Sequence, residues 1–146
     1  MNAFIKKLHE FQTKFKSDVG VQPTDDKFKV VALLRVGLLI EELSEFQQAV
    51  STVIHASNKD EEKEGLVEMV DGITDLLYVV IGTAVALNIN IEEAFNEVHR
   101  SNMSKLDKNG APIFREDGKI LKGENYSSPE LERFVGKNER GECIFV

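Results

Sequence analysis

Residues 35–50 read RVGLLIEELSEFQQAV, and they set a problem that any fold of this chain must solve. The apolar spacing is that of a helix, in which successive residues turn by about 100°. On one face Leu34 and Leu38 precede Glu41, Glu42 and Glu45, and Ala49 follows them. A solvated helix face stays polar along its length. This one sets carboxylates into a line that otherwise reads as buried. A second segment does the same: Glu64, Glu68, Asp71 and Asp75 share one line, which continues as Val79, Gly82 and Ala86.

The spacing predicts two long helices, over about residues 28–57 and 62–88, joined by the polar turn SNKDEEKEG. Folded back on each other about Asn58-Lys59, they pair residues whose numbers sum to 117, so Glu42 meets Asp75 and Glu45 falls beside Asp71. An error of a few residues in that register is about one turn, ~5.4 Å. Within it the two acid groups reach one level, with Glu68 about a turn nearer the connection. Converging carboxylates repel one another in a low dielectric and require a cation. Glu42, Glu45, Glu68, Asp71 and Asp75 offer only hard oxygen ligands. Neither Cys143 nor His9, His55 or His99 falls at ligand spacing among them. That chemistry suits Mg²⁺, or Mn²⁺, rather than Zn²⁺. Glu61, Glu62 and Glu64 read instead as a solvated face.

Elsewhere, Phe4, Leu8, Phe11 and Phe15 stand at helical spacing in a first segment, residues 2–15. Asn90, with Glu93 three residues on, opens a third helix as a capping box. Past Leu106, the Asn109-Gly110 and Asp117-Gly118 turns predict a small hairpin or ordered loop. Ser128-Pro129 is expected to cap and begin a short last helix, and the final CIFV is a strand or a packed tail. The expected fold is therefore all-α: a helical bundle with two long antiparallel core helices carrying the acidic metal site, plus a small C-terminal hairpin region. It is expected to be a single domain, 1–146, with its core over about 1–106 and a C-terminal loop and short helix over 107–146.

Composition narrows the partners. The chain is 42% hydrophobic and 29% charged, an ordinary soluble balance. It shows no secretory signal pattern, and one cysteine fits a reducing cytoplasm. The run LLYVVIGTAVALNI falls short of the roughly 18–20 residues of a membrane span and reads as core, so no membrane partner is expected. A net charge of −7 argues against a nucleic-acid polymer. It does not argue against a nucleotide, because a bound metal inverts the local field.

EELSE followed by EMVDGITDLLYVVIGTA resembles the all-α nucleoside triphosphate pyrophosphohydrolases, a group with MazG-like enzymes, dimeric dUTPases and phosphoribosyl-ATP pyrophosphohydrolases. Their pattern is E-E-x-x-E, then E-x-x-D on the next core helix. Glu41, Glu42 and Glu45 match the first half. Glu68 and Asp71 match the second literally, whereas alignment on DLLY puts the last acid at Asp75, with Asp71 in place of the Glu. VHRSNMSKL and DGKILKGENYSSPEL extend the resemblance, to about Leu131, toward the MazG-like subgroup grouped with phosphoribosyl-ATP pyrophosphohydrolases. It implies acids that hold Mg²⁺, cleavage of an NTP or dNTP to NMP and pyrophosphate as in nucleotide-pool house-cleaning, and a homodimer or homotetramer.

Polyphosphate also needs cationic or polar donors. Asn102 and Lys105 stand three apart on the third helix, and Lys119 and Lys122 lie in GKILKG. Glu41 or Glu45 is the candidate catalytic base. His99 reads as a structural donor. Phe11, Phe15 and Tyr126 are available to stack on a base, the first two being expected in the core. Gly72 and Gly82 would allow close helix approach. A di-iron bundle would need Glu-x-x-His pairs, but Lys6, Thr52 and Asn96 stand three residues before the histidines. A non-enzymatic helical module that binds nucleotide or protein would share the fold; metal-dependent pyrophosphate release separates the two.

Overall fold

Two helices of 28 residues each dominate the computed structural model, which describes residues 3–146. Asn2, counted in the expected first segment, lies outside the described residues. The helices are α1 (Ala3–Lys14), α2 (Phe28–His55), α3 (Lys59–Ala86) and α4 (Ile91–Met103). A 3-10 turn, Leu131–Phe134, and two short strands, β1 (Val135–Lys137) and β2 (Cys143–Phe145), follow. The chain forms two compact units, Met1–Ile89 and Asn90–Val146. Helix α4 opens the second of these.

In the first unit α2 and α3 form an antiparallel hairpin. Asn58 starts α3: its side-chain oxygen accepts from the backbone N–H of Asp60 and Glu61, each at 3.0 Å. The Glu61 carboxylate accepts from Ser57 N at 2.8 Å. Asp60, Glu61 and Glu62 then sit at the positive end of the helix dipole. The expected polar turn is thus mostly helix, and the connection shrinks to residues 56–58. The register is legible in the glycines. A Cβ on Gly72 would lie 3.0 Å from Phe46 Cα, and one on Gly65 2.8 Å from Val53 Cγ2. Both pairs are one residue from the expected register, and Gly72 gives the close approach expected of it.

Gly82 serves α1 instead. Its carbonyl accepts from Gln12 Nε2 at 2.8 Å, and a Cβ there would meet that amide and Leu8. After α1, Gly20 N and Val21 N donate to Val85 O and Ala86 O. Leu8, Val21, Val31, Ile81, Ala84, Ala86 and Leu87 are buried, so the core gathers where α2 begins and α3 ends.

Much of the hairpin is uncovered. Leu33, Val36, Ile40 and Leu43 on α2 are exposed, as are Leu66, Val70, Ile73, Leu77 and Val80 on α3. Phe11 stacks on Phe15 at 4.5 Å and meets Tyr78 edge-on, yet both phenylalanines are exposed rather than core as expected. By length and a mean hydropathy of 1.6, α3 meets the criterion for a membrane span, which corrects the length argument. Its apolar stretch nevertheless carries Asp71 and Asp75, and one side packs along α2.

In the second unit Asn90 caps α4 as expected, accepting from Glu93 N at 3.4 Å. Phe114 and Ile120 form an antiparallel bridge around a turn at Gly118, where φ is +83°. That is the expected small hairpin. Ser128-Pro129 does not open a helix: Leu131–Phe134 is a 3-10 turn, because side chains of α4 take the backbone groups of residues 127–130. CIFV contributes β2, paired with β1.

Candidate acidic site and cationic segment

Glu41, Glu42 and Glu45 come from α2, and Glu68, Asp71 and Asp75 from α3. The contact of Gly72 with Phe46 sets a close helix spacing at their level. Glu42 reports their convergence. Its carboxyl is held above its ordinary 4.5, first by burial and then by the charges of Glu45, Asp75, Glu41 and Asp71. Acids of both helices therefore act on one group, as the hairpin register requires. Glu68 is not among those neighbours. It lines a shallow groove of about 260 Å³ with Glu45, Gln48, Ala49, Asp71 and Gly72, nearer the connection.

Burial is where the structure departs from the expectation. Glu42 is half-buried, but Glu41, Glu45, Glu68, Asp71 and Asp75 are exposed. The apolar line through them is largely covered: Ala49, Gly82 and Ala86 are buried and Leu38 and Val79 half-buried, while Leu34 is exposed. Among the described residues no three Asp, Glu, His or Cys side chains stand in ligating positions. The all-oxygen donor set, on two rigid helices at one level, fits a hard divalent cation.

In the second unit, Lys105 Nζ donates to Asn102 Oδ1 at 2.7 Å. Gly123 N donates to Lys105 O at 2.9 Å, and a Cβ on Gly123 would lie 2.3 Å from Leu106 O. Only glycine permits that approach, which brings the Lys122 backbone beside Lys105. Lys122 Nζ stands 4.0 Å over the Tyr126 ring. Asn102 thus pairs with Lys105 and Tyr126 with Lys122, and the Gly123–Lys105 backbone bond links the two segments. Lys119 stays exposed in the Gly118 turn, its backbone N–H bonded to Asp117 at 3.1 Å.

Sequence reasoning missed Glu97. It is 5% exposed and accepts from Arg100 Nε at 2.9 Å, Arg100 Nη2 at 2.7 Å and Glu130 N at 2.8 Å. The Arg100 hydrogen bond, then the Glu130 backbone, hold its carboxyl at about 2. An acid and an arginine three apart on one helix was the available signal. Gln12 was also missed. It is 1% exposed, and Gln12 Oε1 and Arg35 Nε are buried without partners among the described residues.

The chain belongs to the phosphoribosyl-ATP pyrophosphohydrolase family, whose model matches residues 8–102, and so to the MazG-like nucleoside triphosphate pyrophosphohydrolase superfamily. That membership implies a pyrophosphohydrolase acting on nucleotides. The matched region holds all six acids and Asn102, while Lys105, Lys119 and Lys122 lie beyond it. No curated protein matches the chain.

Proposed function

We propose that the chain hydrolyses a nucleoside triphosphate, NTP or dNTP, to the monophosphate and pyrophosphate with Mg²⁺, or Mn²⁺ in its place. The observation that carries this reading is the convergence of Glu41, Glu42 and Glu45 of α2 with Asp71 and Asp75 of α3, in a chain of the phosphoribosyl-ATP pyrophosphohydrolase family. Glu42, Glu45, Asp71 and Asp75, with Glu68 toward the groove, would hold the cation. When bound, it supplies Lewis-acid polarisation of the phosphate oxygens. Glu41 or Glu45 takes a proton from the water that attacks the α-phosphorus. The new O–P bond forms as the bond to the β-phosphate oxygen breaks, and pyrophosphate leaves with that electron pair. Asn102, Lys105, Lys119 and Lys122 are the proposed phosphate-binding groups. Nucleotide-pool house-cleaning in the cytoplasm is the proposed setting.

The active form is proposed to be a homodimer or homotetramer. Leu66, Val70, Ile73, Leu77 and Val80 recur at alternating spacings of four and three, the seam of a coiled coil. A second hairpin laid on this face completes a four-helix bundle.

Hydrolysis in ¹⁸O-labelled water tests the chemistry, across NTPs, dNTPs and phosphoribosyl-ATP with Mg²⁺ and Mn²⁺. The label is expected in the monophosphate and not in the pyrophosphate. Glu45→Ala is expected to abolish turnover while retaining the helical circular dichroism. Nucleoside diphosphate and orthophosphate as products would overturn the assignment. Absence of any turnover would favour a module that binds nucleotide without cleaving it.

A further inference from the structure

Glu97 is a buried carboxylate with more partners than a helix-surface ion pair requires. It grips Arg100 through two hydrogen bonds and reaches the Glu130 backbone, with Arg133 Nη2 3.8 Å away. Arg100, fixed in this way, donates to Ser127 Oγ at 2.5 Å and to Ser128 O at 3.1 Å. Ser101 Oγ donates to Ser127 O at 2.9 Å, and Ser127 N donates to Ser104 Oγ at 2.9 Å. Residues 127–130 are thereby pinned along α4.

Between α4 and this clasp the chain makes a closed excursion. Its neck is the bond from Gly123 N to Lys105 O. Tyr126 stands between neck and clasp and carries Lys122 over its ring. The two lysines at the neck have neutral partners, an amide for Lys105 and an aromatic face for Lys122. Among the described residues neither ammonium has a carboxylate within salt-bridge distance. The one deeply held carboxylate of this unit is spent on Arg100. A guanidinium fork held at both ends sets orientation as well as proximity. Both ammonium groups at this braced neck are left without a carboxylate counter-charge.

We propose that Glu97 is a positioning residue for phosphate binding: through Arg100, the Ser127 hydroxyl and the Ser128 carbonyl it holds Lys122 beside Lys105, so that the two ammonium groups meet a phosphate-bearing ligand as a pair. This rests on the proposed hydrolysis for its ligand, but its binding arm is read separately.

The test measures kcat and KM with Mg²⁺ and a nucleoside triphosphate, and Kd for inorganic tripolyphosphate by calorimetry. The proteins are the wild type, Glu97→Gln, Glu97→Asp, Arg100→Lys, Lys122→Ala and the Glu97→Gln/Lys122→Ala double variant. Loss of one charge-assisted contact is expected to raise KM and Kd about tenfold in Glu97→Gln, with kcat nearly unchanged. Glu97→Asp recovers part of the loss. The double variant is no weaker than Lys122→Ala alone, because both changes act through one group. Unchanged KM and Kd, or effects that multiply in the double variant, would overturn the proposal. If Glu97→Gln does not fold, Arg100→Lys decides: it keeps the charge on Glu97 but lacks the fork that reaches Ser127 and Ser128, so an unchanged Kd overturns the proposal. Glu97-dependent tripolyphosphate binding without hydrolysis removes the hydrolytic reading and leaves this one standing. Hydrolysis with a KM indifferent to Glu97 does the reverse. A wild type that neither binds nor hydrolyses removes both.

Discussion

At Glu42 the charge of the acidic level has a measurable sign. Its carboxyl titrates above its ordinary 4.5 in the folded chain, so the folded state holds a proton that the unfolded chain gives up. Ionised Glu42 therefore costs stability once pH rises above the ordinary value. Glu42→Gln is expected to raise the melting temperature of metal-free protein at pH 7, with the gain vanishing below pH 4.5. Millimolar Mg²⁺ is expected to stabilise the wild type more than this variant, since a ligand of the native state alone raises its melting temperature. A wild-type melting curve indifferent to Mg²⁺ and Mn²⁺ at low ionic strength would count against the cation. Glu97 has the opposite sign. Its carboxyl falls from 4.5 to about 2, so its contribution is complete above 4.5 and is lost as pH drops toward 2. Glu97→Gln is expected to melt lower at pH 7 and to lose less on acidification through that window, as circular dichroism would show. The contrast explains what was legible. Glu42 and its neighbours declare themselves by helical spacing, whereas the Glu130 contact of Glu97 spans 33 residues and leaves no local pattern.

Helix α3 is pressed against α2 at Gly72, and that contact sits at the level of the acids. A Cβ there meets Phe46 backbone, which cannot swing aside. Gly72→Val is expected to cost about 1–3 kcal/mol, the usual penalty of overpacking, and to raise the Mg²⁺ concentration needed for half-maximal turnover. Urea titration checks the first and a metal titration of activity the second. Gly82→Ala faces the far end of the Gln12 amide and is expected to be milder. The two long helices, their antiparallel register and the Asn90 cap were readable because each has a local cause. Burial was not: periodicity marks an apolar face without saying what covers it. The 3-10 turn at Leu131 also escaped, since Arg100 and Ser101 decide the fate of that backbone from α4.

On the scale of the whole molecule, an apolar seam along both long helices predicts self-association. Analytical ultracentrifugation is expected to find dimer or tetramer, and Ile73→Lys with Leu77→Lys to release a monomer. A monomeric wild type at micromolar concentration would refute the seam. The connection at residues 56–58 carries a further consequence, for the order of folding events. Because α2 and α3 are joined so tightly, their pairing can start beside the connection, as at Val53 and Gly65, and contacts this close in sequence form early. Closure of a short loop takes well under a microsecond, and helix formation about a microsecond. Refolding is therefore expected to show two kinetic phases. A fast gain of helix comes first, at a rate independent of protein concentration. A slower, bimolecular phase follows, and diluting the chain lengthens it in proportion.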